Sequence, residues 1–246
     1  MAFIMNRSAA QYRIFSLGDG GVTIDFGNRI DEATNREVVA RFEQIVQNPI
    51  RGMSEAVPAY SSLTVYYDII KVKKLIPAGT TAFDYIKQEL EQRLRLPFEQ
   101  TIQRPGIIKI PVCYEHAFGQ DIHYIADTKK ISVEELIAIH TAWTYKVYML
   151  GFLPGFSYLG EIDDRIAMPR KPQPQNVEAG SVGIAGKQTG IYPLASPGGW
   201  QIIGRTPLKL FDTQKEDPTL LQAGDTVQFY SISKNEFEEI KSKNEI

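Results

Sequence analysis

Chemistry-bearing side chains concentrate in one stretch of this 246-residue sequence, from Gly151 to Phe211. Arg170, Lys187 and Arg205 are among the cations in it. An arginine presents a planar fork that suits a carboxylate or a phosphate. The ordinary fate of a surface cation, an ion pair with a nearby acid, stands against that reading. Phe152, Phe156, Tyr158, Tyr192 and Trp200 share the stretch, which is also dense in Gly and Pro. Ordinary linkers are polar and lack aromatics, so this composition predicts stiff turns between short strands. Trp200 follows Pro197-Gly198-Gly199, either as a core plug or as the wall of a pocket. Upstream, His140 falls on the face of a predicted helix with Val133, Leu136 and Ile137. It is either a satisfied core histidine or the best-placed titratable base before the stretch.

The common catalytic motifs do not fit. Gly180 to Lys187, GSVGIAGK, has five residues between Gly180 and Gly186, and Gln188 follows the lysine. A phosphate loop needs four residues there and Ser or Thr after the lysine. Gly155-Phe156-Ser157 opens like a nucleophile elbow, but Leu159 stands where the second glycine belongs. His116, His123 and His140 show no metal-ligand spacing. Cys113 sits in an apolar strand and reads as core packing.

The elements that must position these residues follow from periodicity and breakers. Strands are expected at 12–17 and 22–26, a helix at 31–47, strands at 55–59 and 63–67, and a helix at 80–94 stopped by Pro97. Two helices on one antiparallel sheet make an α+β layer close to a ferredoxin-like arrangement. The polar EQTIQRP segment then reads as a linker. Beyond it come a strand at 107–113, a helix at 132–140 opened by Ser132 with Glu135 three residues on, and a strand at 145–150. Short strands near 181–184, 200–205, 209–211 and 226–232 suggest a small barrel or sandwich. The organisation expected is an N-terminal domain over 1–98, a linker over 99–106, a β domain over 107–235 and a charged tail over 236–246.

Composition bounds the function class. A net charge of -2 offers no basic field for nucleic acid. No apolar run approaches a membrane span, and the first residues lack the shape of a secretory signal. A single cysteine excludes an internal disulfide framework and fits a reducing cytoplasm.

Five segments carry a resemblance: GFLPGFSYLG, PRKPQP, EAGSVGIAGKQTGIYP, SPGGWQIIGRTPLKLFD and the late GDTVQF. With LGDGGVTIDFG, YSSLTVYYD and IPVCYEHAFGQDI they resemble, in order and spacing, the 5-oxoprolinase B-subunit family, also called the allophanate hydrolase subunit 1 or Kip-inhibitor family. The resemblance implies an α+β N-terminal domain and a cyclophilin-like β-barrel. It implies ATP-dependent opening of 5-oxoproline to glutamate together with subunits A and C. In that frame Arg170 and Lys187 are expected to hold phosphate or substrate carboxylate, and His140 to move a proton. Phe156, Tyr158, Tyr192, Trp200 and Arg205 are expected to line the site. Gln188, Thr189 and Ser196 are expected to hydrogen-bond the amide or an oxyanion. The resemblance also implies two alternatives: an inhibitor docking on a sensor histidine kinase, and a carboxylase-associated subunit acting on urea or a related amide. One departure is visible, since relatives often carry a second arginine where this chain has Gln175.

Overall fold

The computed structural model describes residues 12–27, 31–96 and 106–244. Nearly all of the expected 99–106 linker lies outside the described residues. The chain divides into two compact units, Met1–Ile102 and Gln103–Ile246.

The first unit runs β1 (Arg13–Leu17), β2 (Gly21–Asp25), α1 (Glu32–Gln47), β3 (Met53–Pro58), β4 (Ser62–Tyr67), α2 (Ile69–Lys73) and α3 (Ala82–Arg95). Its four strands form an antiparallel sheet in the order β1-β2-β4-β3. α1 carries the chain from β2 to β3 and β4 inserts between them, so β2-α1-β3 is a split βαβ unit. Period-two alternation points Val22, Ile24, Leu63 and Val65 to one face, where Val38, Ile45, Ile86 and Leu90 of the helices cover them. Asp31 starts α1 by accepting the Thr34 N–H at 2.9 Å. Arg41 of α1 closes the end of α3, donating to the carbonyls of Arg93, Leu94 and Leu96 at 3.1, 3.0 and 2.9 Å. The sequence pattern does not announce α2. Five residues hold too little periodicity, and the turn forms because Asp68 caps it and Val72 is buried.

The second unit contains β5 (Ile108–Cys113), α4 (Ile122–Lys129), α5 (Val133–Ala142), β6 (Thr144–Leu150), β7 (Ser157–Gly160), β8 (Gln175–Val177), β9 (Ser181–Ala185), β10 (Gln188–Ile191), β11 (Ser196–Gly198), β12 (Gln201–Arg205), β13 (Thr226–Ile232) and α6 (Lys234–Asn244). Seven strands close a barrel in the order β5-β12-β9-β10-β7-β6-β13. β13 meets β5 in parallel, and the other neighbours are antiparallel. Closure leaves no exposed sheet edge in the barrel. Ile110, Val112, Tyr145, Val147, Leu159, Val182, Ile184, Ile203, Val227 and Phe229 belong to its buried core. β8 and β11 pair outside the barrel as a separate two-stranded ribbon.

One expectation changes, and one of two alternatives is decided. No strand forms at 209–211; Phe211 makes one bridge, to Thr219, and Pro207 and Pro218 limit any longer ladder. The charged tail, expected to fray or to form a surface helix, forms α6 from Lys234. Ser233 and Glu236 form a reciprocal capping box at 2.8 and 3.3 Å, and α6 buries Phe237 against Phe118 with ring centroids 4.5 Å apart.

Gly204 sits beside the irregularity in β12 where the ladder with β9 shifts register. A Cβ there would lie 2.6 Å from Val112 Cγ1 and 2.8 Å from the Cys113 carbonyl oxygen. The backbone neighbour cannot yield without moving β5. Gly204→Ala is expected to lower stability by roughly 1–3 kcal/mol, read as a fall in denaturation midpoint.

Candidate functional site

The aromatic residues of the central stretch meet on the outside of the barrel wall. β9 and β10 pair with Gly183 opposite Gly190. A Cβ on Gly190 would lie 2.9 Å from Trp200 Cζ3, and one on Gly183 would lie 3.1 Å from Trp200 Cβ. The two glycines therefore make a flat floor on which the indole lies. Phe156 stands edge-on to Trp200 at 5.4 Å and to Tyr192 at 4.9 Å, and Tyr158 lies 5.8 Å from Trp200. Offset and edge-on contacts of this kind add to simple burial. Phe156, Tyr192 and Trp200 are buried, Tyr158 is half-buried and Phe152 is exposed.

Arg170 is brought over this floor by its neighbours. The Gln201 side-chain amide donates to the Pro169 carbonyl at 3.1 Å, and the Lys171 N–H donates to the Gly199 carbonyl at 2.7 Å. Residues 169–171 are thus pinned against 199–201, and Arg170 faces Trp200. Its guanidinium carbon lies 5.9 Å from the indole centroid, a cation–π distance. Among the described residues it has no carboxylate partner. Burial raises the Tyr158 and Tyr192 hydroxyls above their usual range, and the Arg170 charge partly opposes that. Both phenols stay neutral at physiological pH.

The pin has a second anchor that sequence reasoning misses. Lys171 Nζ pairs with Asp121 Oδ2 at 2.7 Å, with both side chains largely buried, and donates to Gln175 Oε1 at 2.8 Å. Asp121 Oδ2 also accepts the Ile202 N–H at 2.6 Å. Two residues so far apart in the chain leave no local signal; the ion pair appears once the barrel brings α4 beside β12. Gln175 thus serves as an acceptor for Lys171.

The other expected site residues lie elsewhere. Thr189 alternates with Gly190 along β10 and points into the barrel, where it is fully buried. There His140, also fully buried, spans two hydroxyls. Nδ1 lies 2.8 Å from Tyr114 Oη and Nε2 lies 3.0 Å from Thr189 Oγ1. Thr189 Oγ1 donates to the Gly183 carbonyl at 3.1 Å. That bond uses the threonine proton, which assigns the hydrogen to Nε2 and leaves Nδ1 as the acceptor of the Tyr114 hydroxyl. Phe229 stacks on the imidazole at 4.6 Å, and Tyr145 donates to the His140 carbonyl at 2.7 Å. Burial drives His140 down to about 3, so it is a neutral core histidine in this geometry. Trp200 and His140 stand on opposite sides of one wall.

Lys187 occupies the β9–β10 turn with Gly186 at φ +60°, so GSVGIAGK is a strand and a hairpin turn. Its ammonium meets Asp164 at 2.7 Å on an exposed surface, and that contact raises its pKa. Arg205 ends β12, roughly 15 Å along the strand from Trp200. It packs over Phe118 at 5.7 Å and leaves its buried Nε without a hydrogen-bond partner. Ser196 on β11 also has a buried, unpartnered Oγ. Gln188 is half-buried on β10. The structure therefore gathers Arg170, Phe156, Tyr158, Tyr192 and Trp200, and does not bring His140, Lys187 or Arg205 to them. Among the described residues no group of three metal-ligating side chains forms.

Comparison with known proteins places this arrangement. The model of the "Carboxyltransferase domain, subdomain C and D" family matches residues 12–221. The chain belongs to that family. Within it, the sequence is 46% identical to the 5-oxoprolinase B subunit of Bacillus subtilis over 236 residues, covering 95% of this chain and 98% of that protein. The crystal structure of TTHA0988 superposes with a TM-score of 0.74 at 36% identity, over 87% of this chain and 40% of that one. The Kluyveromyces lactis urea carboxylase shares the fold, with a TM-score of 0.71 at 19% identity over 99% of this chain and 24% of that one. The carboxyltransferase-family fold thus spans most of this chain and forms part of much longer ones.

Two measurements test the site's construction. The unfolded chain protonates His140 near its ordinary value of 6.5, whereas the folded barrel resists down to about 3. Stability is therefore complete above pH 6.5 and falls with a slope approaching ~1.4 kcal/mol per pH unit below it. Urea midpoints between pH 7 and 5, above the carboxylate range, are expected to show that slope, and His140→Gln to lose it. Lys171→Met leaves Asp121 largely buried and unpaired, and is expected to cost roughly 3 kcal/mol in the same assay.

Proposed function

We propose that this chain is the B subunit of an ATP-dependent 5-oxoprolinase, a cytoplasmic complex that opens 5-oxo-L-proline to L-glutamate with subunits A and C. The observation that carries the reading is the 46% identity to a subunit of that name over nearly the full length of both chains. We read the barrel as cyclophilin-like and residues 1–98 and 107–235 as the two domains.

The geometry supports a substrate-binding role. 5-Oxoproline carries one carboxylate and a flat, uncharged lactam. Arg170, without an acid partner among the described residues and held over an aromatic floor, suits the carboxylate. Tyr158, half-buried beside Trp200 and neutral, suits hydrogen bonding to the amide. A lactam resists water, and ATP supplies the activation as a phosphoryl group on the amide oxygen. Neutralising the charge of that transfer needs several cations. In this chain Lys187 is engaged by Asp164 and the nearest nucleotide-like motif is a hairpin. We assign phosphoryl transfer to a site completed by the partner subunits. His140 serves as a positioning group that locks β10 against α5, its proton having no exposed neighbour to go to.

A second reading, action on urea or a related amide, draws on the family description and the fold shared with urea carboxylase. Substrate choice separates the two. Glutamate and phosphate release is measured from 5-oxo-L-proline plus ATP, with this chain alone and with subunits A and C, and urea replaces 5-oxo-L-proline in parallel. Turnover of 5-oxo-L-proline in the full mixture alone is expected. Arg170→Ala is expected to lower kcat/KM by about ten- to a hundredfold, the worth of a hydrogen-bonded charge. Full activity without this chain, or with Arg170→Ala, overturns the proposal. A folded mixture that is inert on both substrates and retains a sensor kinase points to the docking role instead.

A further inference from the structure

Between β6 and β7 the chain reverses through Gly151-Phe152-Leu153-Pro154-Gly155-Phe156. The Gly151 N–H donates to the Phe156 carbonyl at 3.1 Å and closes the loop. The Phe156 N–H donates to the Leu153 carbonyl at 3.0 Å across Pro154-Gly155. Gly155 takes φ +80°, the angle a type II turn asks of its third residue, with proline in the second place. The first half of the loop is less ordinary. The Leu153 N–H donates to the Gly151 carbonyl at 2.9 Å around Phe152, whose φ is +70°. A γ-turn with positive φ is rare and strained, the more so on a bulky residue. The other non-glycine residue at positive φ among the described residues is Lys130, which ends α4 in the left-handed conformation that helices commonly use. Phe152 has no helix to end.

What the turn does is hold a ring outward. Phe152 is 62% exposed, although a buried aromatic cluster lies beside it. Its ring meets that cluster edge-on, at 5.6 Å from Phe156 and 6.4 Å from Tyr192. Phe156 in turn touches Trp200, over which Arg170 stands. An apolar face and a cation that has no acid partner among the described residues therefore rise from one packed base. Backbone strain kept on a solvent-facing side chain points to a ligand for that side chain.

We propose that Phe152 is a specificity-determining residue of the site, supplying an apolar face to the flat ring of a small cyclic amide whose carboxylate Arg170 holds. The inference rests on the 5-oxoprolinase reading above. Arg170 recognises the charge that many small acids share. Phe152 recognises the ring, which linear amino acids lack, and its bulk keeps water from the amide edge.

The test uses the complex of this chain with subunits A and C, turning over 5-oxo-L-proline and ATP. Phe152→Gly removes the ring and relieves the turn; Phe152→Tyr keeps the ring. Phe152→Gly is expected to raise KM for 5-oxo-L-proline about tenfold with kcat changed less than about threefold. KM for ATP, thermal midpoint and co-elution of the subunits are expected to hold, and Phe152→Tyr to match the parent. An unchanged KM in an active Phe152→Gly complex overturns the role of Phe152 and leaves the 5-oxoprolinase reading intact. Loss of subunit co-elution makes the ring a protein anchor and overturns the proposal, as does Phe152→Tyr failing like Phe152→Gly. A parent complex with no turnover of 5-oxo-L-proline removes both readings together.

Discussion

The arrangement depends on the alternation of side chains along β9 and β10. Thr189 points inward and closes the Tyr114–His140–Thr189–Gly183 hydrogen-bond chain inside the barrel. Gly190 and Gly183, opposite each other, point outward and leave room for Trp200. A slip of one residue would put Thr189 under the indole and Gln188 at the imidazole, or, in the other direction, Ile191 under the indole and Gly190 at the imidazole. Neither side tolerates the exchange, because Trp200 needs a floor without Cβ atoms and His140 needs a hydroxyl. The two faces therefore specify one register, and the buried histidine contributes to the outer site through the backbone it fixes.

Arg170 gains its position from bonds that do not involve its own side chain. Backbone groups on both sides of it are tied to residues on both sides of Trp200. The Lys171–Asp121 pair then holds the loop to α4 and β12. An arginine loses rotamer freedom when it is held, and that loss opposes binding. Stacking over an indole on a pinned loop places most of that loss in folding, before any ligand arrives. A nearly buried ion pair is a weak source of net stability, but breaking it is costly. That asymmetry suits a pair whose work is to prevent one loop from moving.

Much of this is legible in the sequence, and the failures share a cause. Periodicity, caps and turn residues mark the helices α1, α3 and α5 and most barrel strands, since those signals are local. The clustering of Phe156, Tyr158, Tyr192 and Trp200 is foreseeable from a Gly/Pro-rich segment that holds aromatics. Nearness in the chain groups His140, Lys187 and Arg205 with Arg170. A closed barrel separates such residues by wall face and by distance along a strand, and neither is visible in linear spacing. Lys171 and Asp121 stay hidden for the converse reason, being distant in sequence and adjacent in space. Phe152 stands among the aromatics of the stretch, but the γ-turn that exposes it is a backbone conformation no composition reports.

Dividing the proposed reaction between subunits follows from the same geometry. Holding a carboxylate needs one well-placed fork on a rigid base, and Arg170 over Trp200 supplies it. Phosphoryl transfer needs several cations converging on one oxygen cluster. Lys187 and Arg205, the other cations expected at the site, do not converge there. Lys187 sits at the β9–β10 turn facing Asp164, and Arg205 sits at the far end of β12 over Phe118. Bringing either to Arg170 would mean breaking the barrel ladder that makes the aromatic floor. In the proposed reaction, a chain that seats the substrate over Trp200 leaves the phosphate to cations supplied by a second chain.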